Sequence, residues 1–191
     1  MDLSNVRVIL ASKSPRRSEL LGKICAKFEI ETREVDESLP QGVLPRDGVE
    51  LLAIRKGEAV AKENENALVL SSDTLVEVDN IPLGKPTDRE NAFDMLRSLS
   101  GRAHNVHTGV AVHYEGKCYS GVASSHVYFK ELTDEEIWQY IDTGEPMDKA
   151  GSYGIQGEGG KFVVKYDGDF DTIMGLSLRL TAELISRALA D

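Results

Sequence analysis

The stretch that most restricts this chain lies near its start, where the largely apolar run 6–11 gives way to Ser12-Lys13-Ser14-Pro15-Arg16-Arg17-Ser18-Glu19-Leu20-Leu21. A run of that length and character predicts a buried strand. Ser14 suits a helix N-cap and Pro15 the first helical position, so the strand is expected to turn sharply into a helix. Lys13, Arg16 and Arg17 then gather positive charge where the helix dipole favours carboxylates, by roughly 0.3–1 kcal/mol each. That placement makes sense when a bound anion supplies the compensating charge, held by free N–H groups, serine hydroxyls and guanidinium groups. A phosphate is the natural guest. The plainer alternative is a surface helix whose arginines are simply solvated.

The overall charge makes the cluster more informative. The 191 residues carry 22 basic and 32 acidic side chains, a formal net charge of -10. Such a balance argues against a general nucleic-acid or acidic-membrane binder. Three cations within five residues run against it. The length suits one domain with a sizeable core, in one lobe or two. Cys25 and Cys118 show neither metal-ligand nor redox spacing, no charged-then-apolar leader is visible, and no apolar run approaches membrane-spanning length. A cytoplasmic protein with free thiols is expected.

Further along, residues 28–32 alternate as a second strand, and a polar loop from Val35-Asp36-Glu37 to Pro45 follows. Residues 47–63 show helical periodicity, with Val49, Leu52, Ala53, Ala59 and Val60 on one face and Lys56 inside that stripe. A lysine there either snorkels to the edge or points into a functional cleft. The run 67–70 predicts a strand buried on both faces that ends in Ser71-Ser72-Asp73-Thr74, a position where α/β sheets place ligand-facing groups. Residues 75–78 and 81–83 read as a hairpin around Asp79-Asn80. Thr87-Asp88-Arg89-Glu90 predicts a capping box opening a helix to about Ser100, and Thr133-Asp134-Glu135-Glu136 predicts another. Between them, residues 104–130 read as a β-hairpin turning at Glu115-Gly116. A glycine-rich loop spans 151–160. A last hairpin is expected from 162–166 and 170–174 around Asp167-Gly168, before a terminal helix with Leu176, Leu180, Leu184 and Ile185 as its stripe. The chain therefore reads as mixed α/β.

No phosphate loop of the Gly-x-x-x-x-Gly-Lys-Ser/Thr type and no Gly-x-Ser-x-Gly elbow is present. His104 and His107 fall on opposite faces of a strand and cannot chelate one metal together. What remains is a set of cations and carboxylates on separate segments, Arg16, Arg17, Lys56 and Lys85 against Glu37 and Asp73. Cations clamp phosphate oxygens and offset charge that builds up in phosphoryl transfer. Carboxylates hold Mg²⁺ or orient an attacking water. For Asp73 this reading leads, because an unpaired carboxylate beside a buried strand is costly. On composition alone Glu37 and Lys85 read as a loop carboxylate and a turn residue.

Several blocks together resemble the Maf family of nucleotide pyrophosphatases. They are Ala11-Ser12-x-Ser14-Pro15-Arg16-Arg17-x-Glu19-Leu20-Leu21, Val35-Asp36-Glu37, Arg55-Lys56, Ser72-Asp73-Thr74, Leu83-Gly84-Lys85-Pro86, Leu99-Ser100-Gly101-Arg102-x-His104, and the long block from Glu145-Pro146-Met147-Asp148-Lys149-Ala150-Gly151 through Tyr153-Gly154-Ile155-Gln156-Gly157. They fall in the family's order over essentially the whole chain. The resemblance implies a single domain over 1–191, built as a twisted mixed β-sheet flanked by helices. It also implies two lobes with a deep cleft, similar to inosine triphosphate pyrophosphatase, and assembly as a homodimer. Asp73 is then the catalytic base or a metal-associated residue. Arg16, Thr74 and Gln156 are tied to substrate choice, while Ser12, Arg17, Glu37, Lys56 and Lys85 line the phosphate and metal site.

The Gly-Ile-Gln-Gly block resembles the branch hydrolysing dTTP and UTP, to the monophosphate and pyrophosphate, with Mg²⁺ or Mn²⁺ as cofactor. A Gln amide offers donor and acceptor together, matching the O4/N3–H edge of uracil or thymine. The alternatives are the branch acting on 7-methyl-GTP and a septum-formation regulator that works by binding a partner. Ser71-Ser72 departs from the Gly-Ala usual before the aspartate, and Ser177 from a common proline. Neither removes a group the reaction needs, so altered packing or rate is the most that is expected.

Overall fold

The computed structural model describes residues 3–190. Strand β1 (Arg7–Leu10) leads to helix α1 (Pro15–Gly22), the short strand β2 (Glu29–Ile30) and helix α2 (Pro45–Ala61). Strands β3 (Ala67–Val78) and β4 (Ile81–Leu83) precede α3 (Arg89–Leu99), and the long strands β5 (Ala103–Tyr114) and β6 (Lys117–Phe129) precede α4 (Asp134–Asp142). Three 3₁₀ turns, Glu145–Asp148, Ala150–Ser152 and Glu158–Phe162, carry the chain to β7 (Val163–Asp167), α5 (Phe170–Met174) and α6 (Leu178–Ala190). Among the described residues the strands form a seven-stranded sheet in the order β2-β1-β3-β5-β6-β7, with β4 on β3. Pairing is parallel at β1–β2 and β1–β3 but antiparallel at β3–β4 and β6–β7. The mixed α/β class expected from the sequence is the one found.

The chain divides into two compact units, one of residues 1–74, 108–123 and 175–191, the other of 75–107 and 124–174. In the first, β1 lies in register with β3 from Arg7↔Ala67 to Leu10↔Leu70. Beyond Arg7 the paired stretches 8–10 and 67–70 are buried at every residue, which explains their continuous apolar sequence. Ile9, Ala11, Val60, Ala67 and Val69 form one core cluster there. Helix α2 approaches β5 so closely that a Cβ on Gly109 would lie 2.3 Å from the Val49 carbonyl oxygen.

In the second unit α3 and α4 pack their apolar faces (Leu96, Leu99, Ile137, Ile141) with Val106, Val127 and Phe129 from the strands. Phe129 meets His104, Tyr153 and Phe162 edge-on, at ring separations of 4.9, 4.7 and 5.8 Å. Such edge-to-face contacts add about 0.5–1.5 kcal/mol each beyond area burial. Burial pushes the His104 imidazole down to about 4, so it is neutral at pH 7, with Nε2 2.8 Å from the Tyr153 hydroxyl. His107 joins a different network, its Nδ1 2.7 Å from Ser124 Oγ and its Nε2 2.8 Å from Glu77. The two histidines therefore serve separate contacts, as their spacing predicts.

Three local expectations need correction. Strand β3 does not stop before Ser71; it runs unbroken through Asp73 to Val78, pairing with β1 over 67–70 and with β4 over 76–78, and it neighbours β5 in the sheet. Helix α3 is capped by Asp88, which accepts from the Asn91 N–H at 2.7 Å, so Thr87 opens no capping box. The box at Thr133 and Glu136 does form, with both reciprocal hydrogen bonds. Residues 170–174 are helical rather than the second arm of a hairpin. Phe170, Ile173 and Met174 sit at i, i+3 and i+4, a helical period that a five-residue window does not separate from alternation.

Candidate active site

The first turn of α1 is built as the sequence implies. Ser14 is extended (φ -67°, ψ 118°) and its hydroxyl accepts from the Arg17 N–H. Ser12, 6% exposed, turns its Oγ toward the same turn and accepts from the Ser14 N–H at 3.2 Å and from Arg17 Nη1 at 3.3 Å. Arg17 also donates from Nε to the Gly175 carbonyl at 2.8 Å and from Nη2 to Thr74 Oγ1 at 3.2 Å. Burial draws its guanidinium below the ordinary arginine value. Asp73 pulls the other way and Arg16 adds to the drop. The group stays charged, as guanidinium groups in proteins do. Arg16 and Lys13 make no hydrogen bond or ion pair among the described residues, which leaves two cations of the opening cluster available to an anion. Arg17 instead ties together the protein's own segments.

Lys56 does not snorkel to the edge of α2. Its ammonium lies 2.6 Å from Asp73 Oδ1 and 2.9 Å from Glu37 Oε1, with 19% of the side chain exposed. Helix α2 therefore points this lysine at the carboxylate on β3 and at the loop that carries Glu37. The loop is itself fastened to α2: Arg55 donates to the carbonyls of Asp36 at 3.0 Å and Ser38 at 2.6 Å, one on each side of Glu37. Asp36 closes the turn by accepting from the Ser38 N–H and hydroxyl, each at 2.8 Å. Thr74, next to Asp73, has its hydroxyl 3.0 Å from Thr108 Oγ1 as well as bonded to Arg17. Ser12, Arg17, Glu37, Lys56, Asp73 and Thr74 thus belong to one connected arrangement in the first unit, and Arg16 precedes Arg17 on α1 without a bond to it. Lys85 and Gln156 lie in the second unit, both exposed and both without a hydrogen bond among the described residues.

Sequence reasoning missed two participants. Thr108 reads only as one more residue of an alternating strand. The Gly175 carbonyl, which accepts from both Arg17 and Ser72 Oγ (2.9 Å), lies 158 residues from Arg17. Gly175 itself needs to be glycine: its φ is +117°, and a Cβ would stand 3.3 Å from Thr74 Oγ1 and 3.5 Å from Arg17 Nε. The unusual serines have local reasons. Ser71 Oγ donates to the Ala53 carbonyl at 2.6 Å, fastening β3 to α2. Ser72 anchors Gly175, and Ser177 Oγ accepts from the Leu180 N–H at 3.4 Å as the N-cap of α6.

Among the described residues no three His, Cys, Asp or Glu side chains stand together as a complete metal site. Glu37 and Asp73 nevertheless converge on one cation, the Lys56 ammonium. Two hard oxygen donors are also what Mg²⁺ takes from protein when substrate phosphates and water complete its shell. The residues fit a divalent cation bound together with a polyphosphate.

A sheet strand that carries an aspartate clasped by lysine, beside a helix start rich in cations, is an arrangement suited to phosphate groups. The chain belongs to the Maf-like protein family, whose model matches residues 7–188. A dTTP/UTP pyrophosphatase of Bdellovibrio bacteriovorus is 42% identical over 187 residues, covering 94% of this chain and 97% of that protein. Proteins of the same name from Bacillus velezensis and Bacillus cytotoxicus are 45% and 47% identical, over 92% and 93% of this chain and 93% and 94% of theirs. The Ham1 protein of Staphylococcus aureus, a solved structure, aligns over 96% of this chain and 94% of that one at 19% identity and a TM-score of 0.47.

Proposed function

We propose that this protein is a nucleoside triphosphate pyrophosphatase that hydrolyses dTTP and UTP to the monophosphate and pyrophosphate. The observation that carries the reading is the Glu37–Lys56–Asp73 arrangement, linked through Thr74 and Arg17 to the α1 start. The relatives named for that activity support it at 42–47% identity. In the reaction a water oxygen attacks the α-phosphorus. Asp73, with Oδ1 held by Lys56, takes the water's proton on its other oxygen. The α–β bridging P–O bond breaks and pyrophosphate departs with its electron pair, its charge met by Arg16 and Lys56. Arg17 holds Thr74 and Ser12 in place beside the phosphates. A divalent cation, Mg²⁺ or Mn²⁺, held by Glu37 and Asp73, supplies further neutralisation of phosphate charge when bound. Gln156 reads the pyrimidine edge.

The same reading makes the enzyme one functional domain, a homodimer and a cytoplasmic protein. Among the described residues no helix is long and apolar enough to cross a membrane, and both cysteines are free thiols. The test is a substrate panel. Purified protein with Mn²⁺ is expected to release pyrophosphate from dTTP and UTP at least tenfold faster than from 7-methyl-GTP, about the ratio that loss of one base-edge contact produces. A preference for 7-methyl-GTP would place the enzyme in the other branch.

A further inference from the structure

The loop that carries Gln156 is fastened from beneath by a carboxylate. Glu145 opens the first 3₁₀ turn, immediately after Gly144 at φ +75°. One of its oxygens, Oε1, accepts from the Tyr140 hydroxyl at 2.8 Å and from the Gly159 N–H at 3.2 Å. The other accepts from the Glu158 N–H at 2.9 Å. The Tyr140 oxygen in turn accepts from the Gly154 N–H at 3.1 Å. Both ends of the 154–159 segment are therefore pinned to one side chain, directly at 158–159 and through Tyr140 at 154, while Gln156 projects from the middle.

The glycines of the loop make room for this clasp. A Cβ at Gly157 would stand 2.4 Å from both carboxylate oxygens of Glu145, and one at Gly159 would stand 2.6 Å from Tyr140 Oη. The glutamate is itself fixed: its N–H donates to Thr143 Oγ1 at 3.1 Å and its carbonyl accepts from Lys149 Nζ at 2.8 Å. Burial acts to raise its pKa, but the Glu158 N–H, the Tyr140 hydroxyl, the Gly159 N–H and Lys149 outweigh it, so the carboxyl lies below the usual range and is ionised at neutral pH.

We propose that Glu145 is a positioning residue for base selection, holding the Gly154–Gly159 backbone so that the Gln156 amide meets the O4/N3–H edge of a pyrimidine. This rests on the reading that Gln156 selects the base. The chemistry is specific to a carboxylate. Two acceptor oxygens serve three donors, and a Gln at this position would turn an NH₂ group toward an N–H or O–H donor.

Steady-state kinetics on dTTP and dCTP test it, because cytosine reverses the donor and acceptor of the same edge. Glu145→Gln is expected to lower the dTTP-over-dCTP ratio of kcat/KM roughly ten- to hundredfold, the scale of a misplacement of about 1 Å. Most of the change should fall in KM. Tyr140→Phe, which removes the Gly154 pin and one of the three donors to Glu145 but leaves the Glu158 and Gly159 N–H contacts, should give a smaller loss in the same direction. The Glu145→Gln/Gln156→Ala double variant should match Gln156→Ala alone. A wild-type ratio in both Glu145→Gln and Tyr140→Phe, with a collapsed ratio in Gln156→Ala, would overturn the positioning role alone. An unchanged ratio in Gln156→Ala would overturn the base-reading role of Gln156 and, with it, this proposal.

Discussion

Asp73→Asn is expected to reduce pyrophosphate release from dTTP by roughly 100- to 10,000-fold, the contribution of a positioned general base. The substitution keeps the shape of the side chain and removes its negative charge, and with it the capacity to take a proton and the ion pair with Lys56. Lys56 retains Glu37 at 2.9 Å, so its ammonium keeps a partner and the fold should survive. Thermal unfolding followed by circular dichroism checks that point, because a buried charge left without any partner costs about 3–5 kcal/mol. A folded Asp73→Asn protein that turns over dTTP at the wild-type rate would remove Asp73 from the role of base.

The second large effect is on stability. Gly109→Ala places a methyl group 2.3 Å from the Val49 carbonyl oxygen and 2.7 Å from the Glu50 nitrogen. These are backbone atoms of α2, which no side-chain rotamer can move aside. The helix must shift away from β5 or the strand must bend. We expect a loss of about 3 kcal/mol or more, at the upper end of overpacking penalties. That is a large part of the roughly 5–15 kcal/mol that holds an ordinary domain folded. Urea unfolding should show a clearly lower midpoint. Because α2 also carries Lys56, the folded fraction should hydrolyse dTTP more slowly, and a wild-type midpoint would show that α2 yields without cost.

Much of this was legible in the sequence where the controlling physics is local. Ser14 and Pro15 announce the start of α1 through capping and a fixed φ, and Thr133 with Glu136 announces α4 in the same way. The Asp79-Asn80 turn follows from two residues that tolerate the left-handed region, and both adopt it at φ 55° and 62°. The expectation failed where pairing decides. Nothing in Ser71-Ser72-Asp73-Thr74 says that β3 continues, because that depends on β1 on one stretch and β4 on the next. The bond from Arg17 to the Gly175 carbonyl joins segments that only the fold brings together. Glu145 shows the same limit in another form. Its block resembles the family's, but the reason for a glutamate there is a set of backbone N–H groups.

The central claim is that this site breaks the α–β anhydride bond of a pyrimidine triphosphate by attack at the α-phosphorus. Hydrolysis of dTTP in ¹⁸O-labelled water, with Mn²⁺ present and the products separated and weighed by mass spectrometry, tests it most directly. The account predicts dTMP and pyrophosphate in equal amounts, with the label in dTMP and none in pyrophosphate. Label in pyrophosphate, or dTDP and inorganic phosphate as the products, would contradict it.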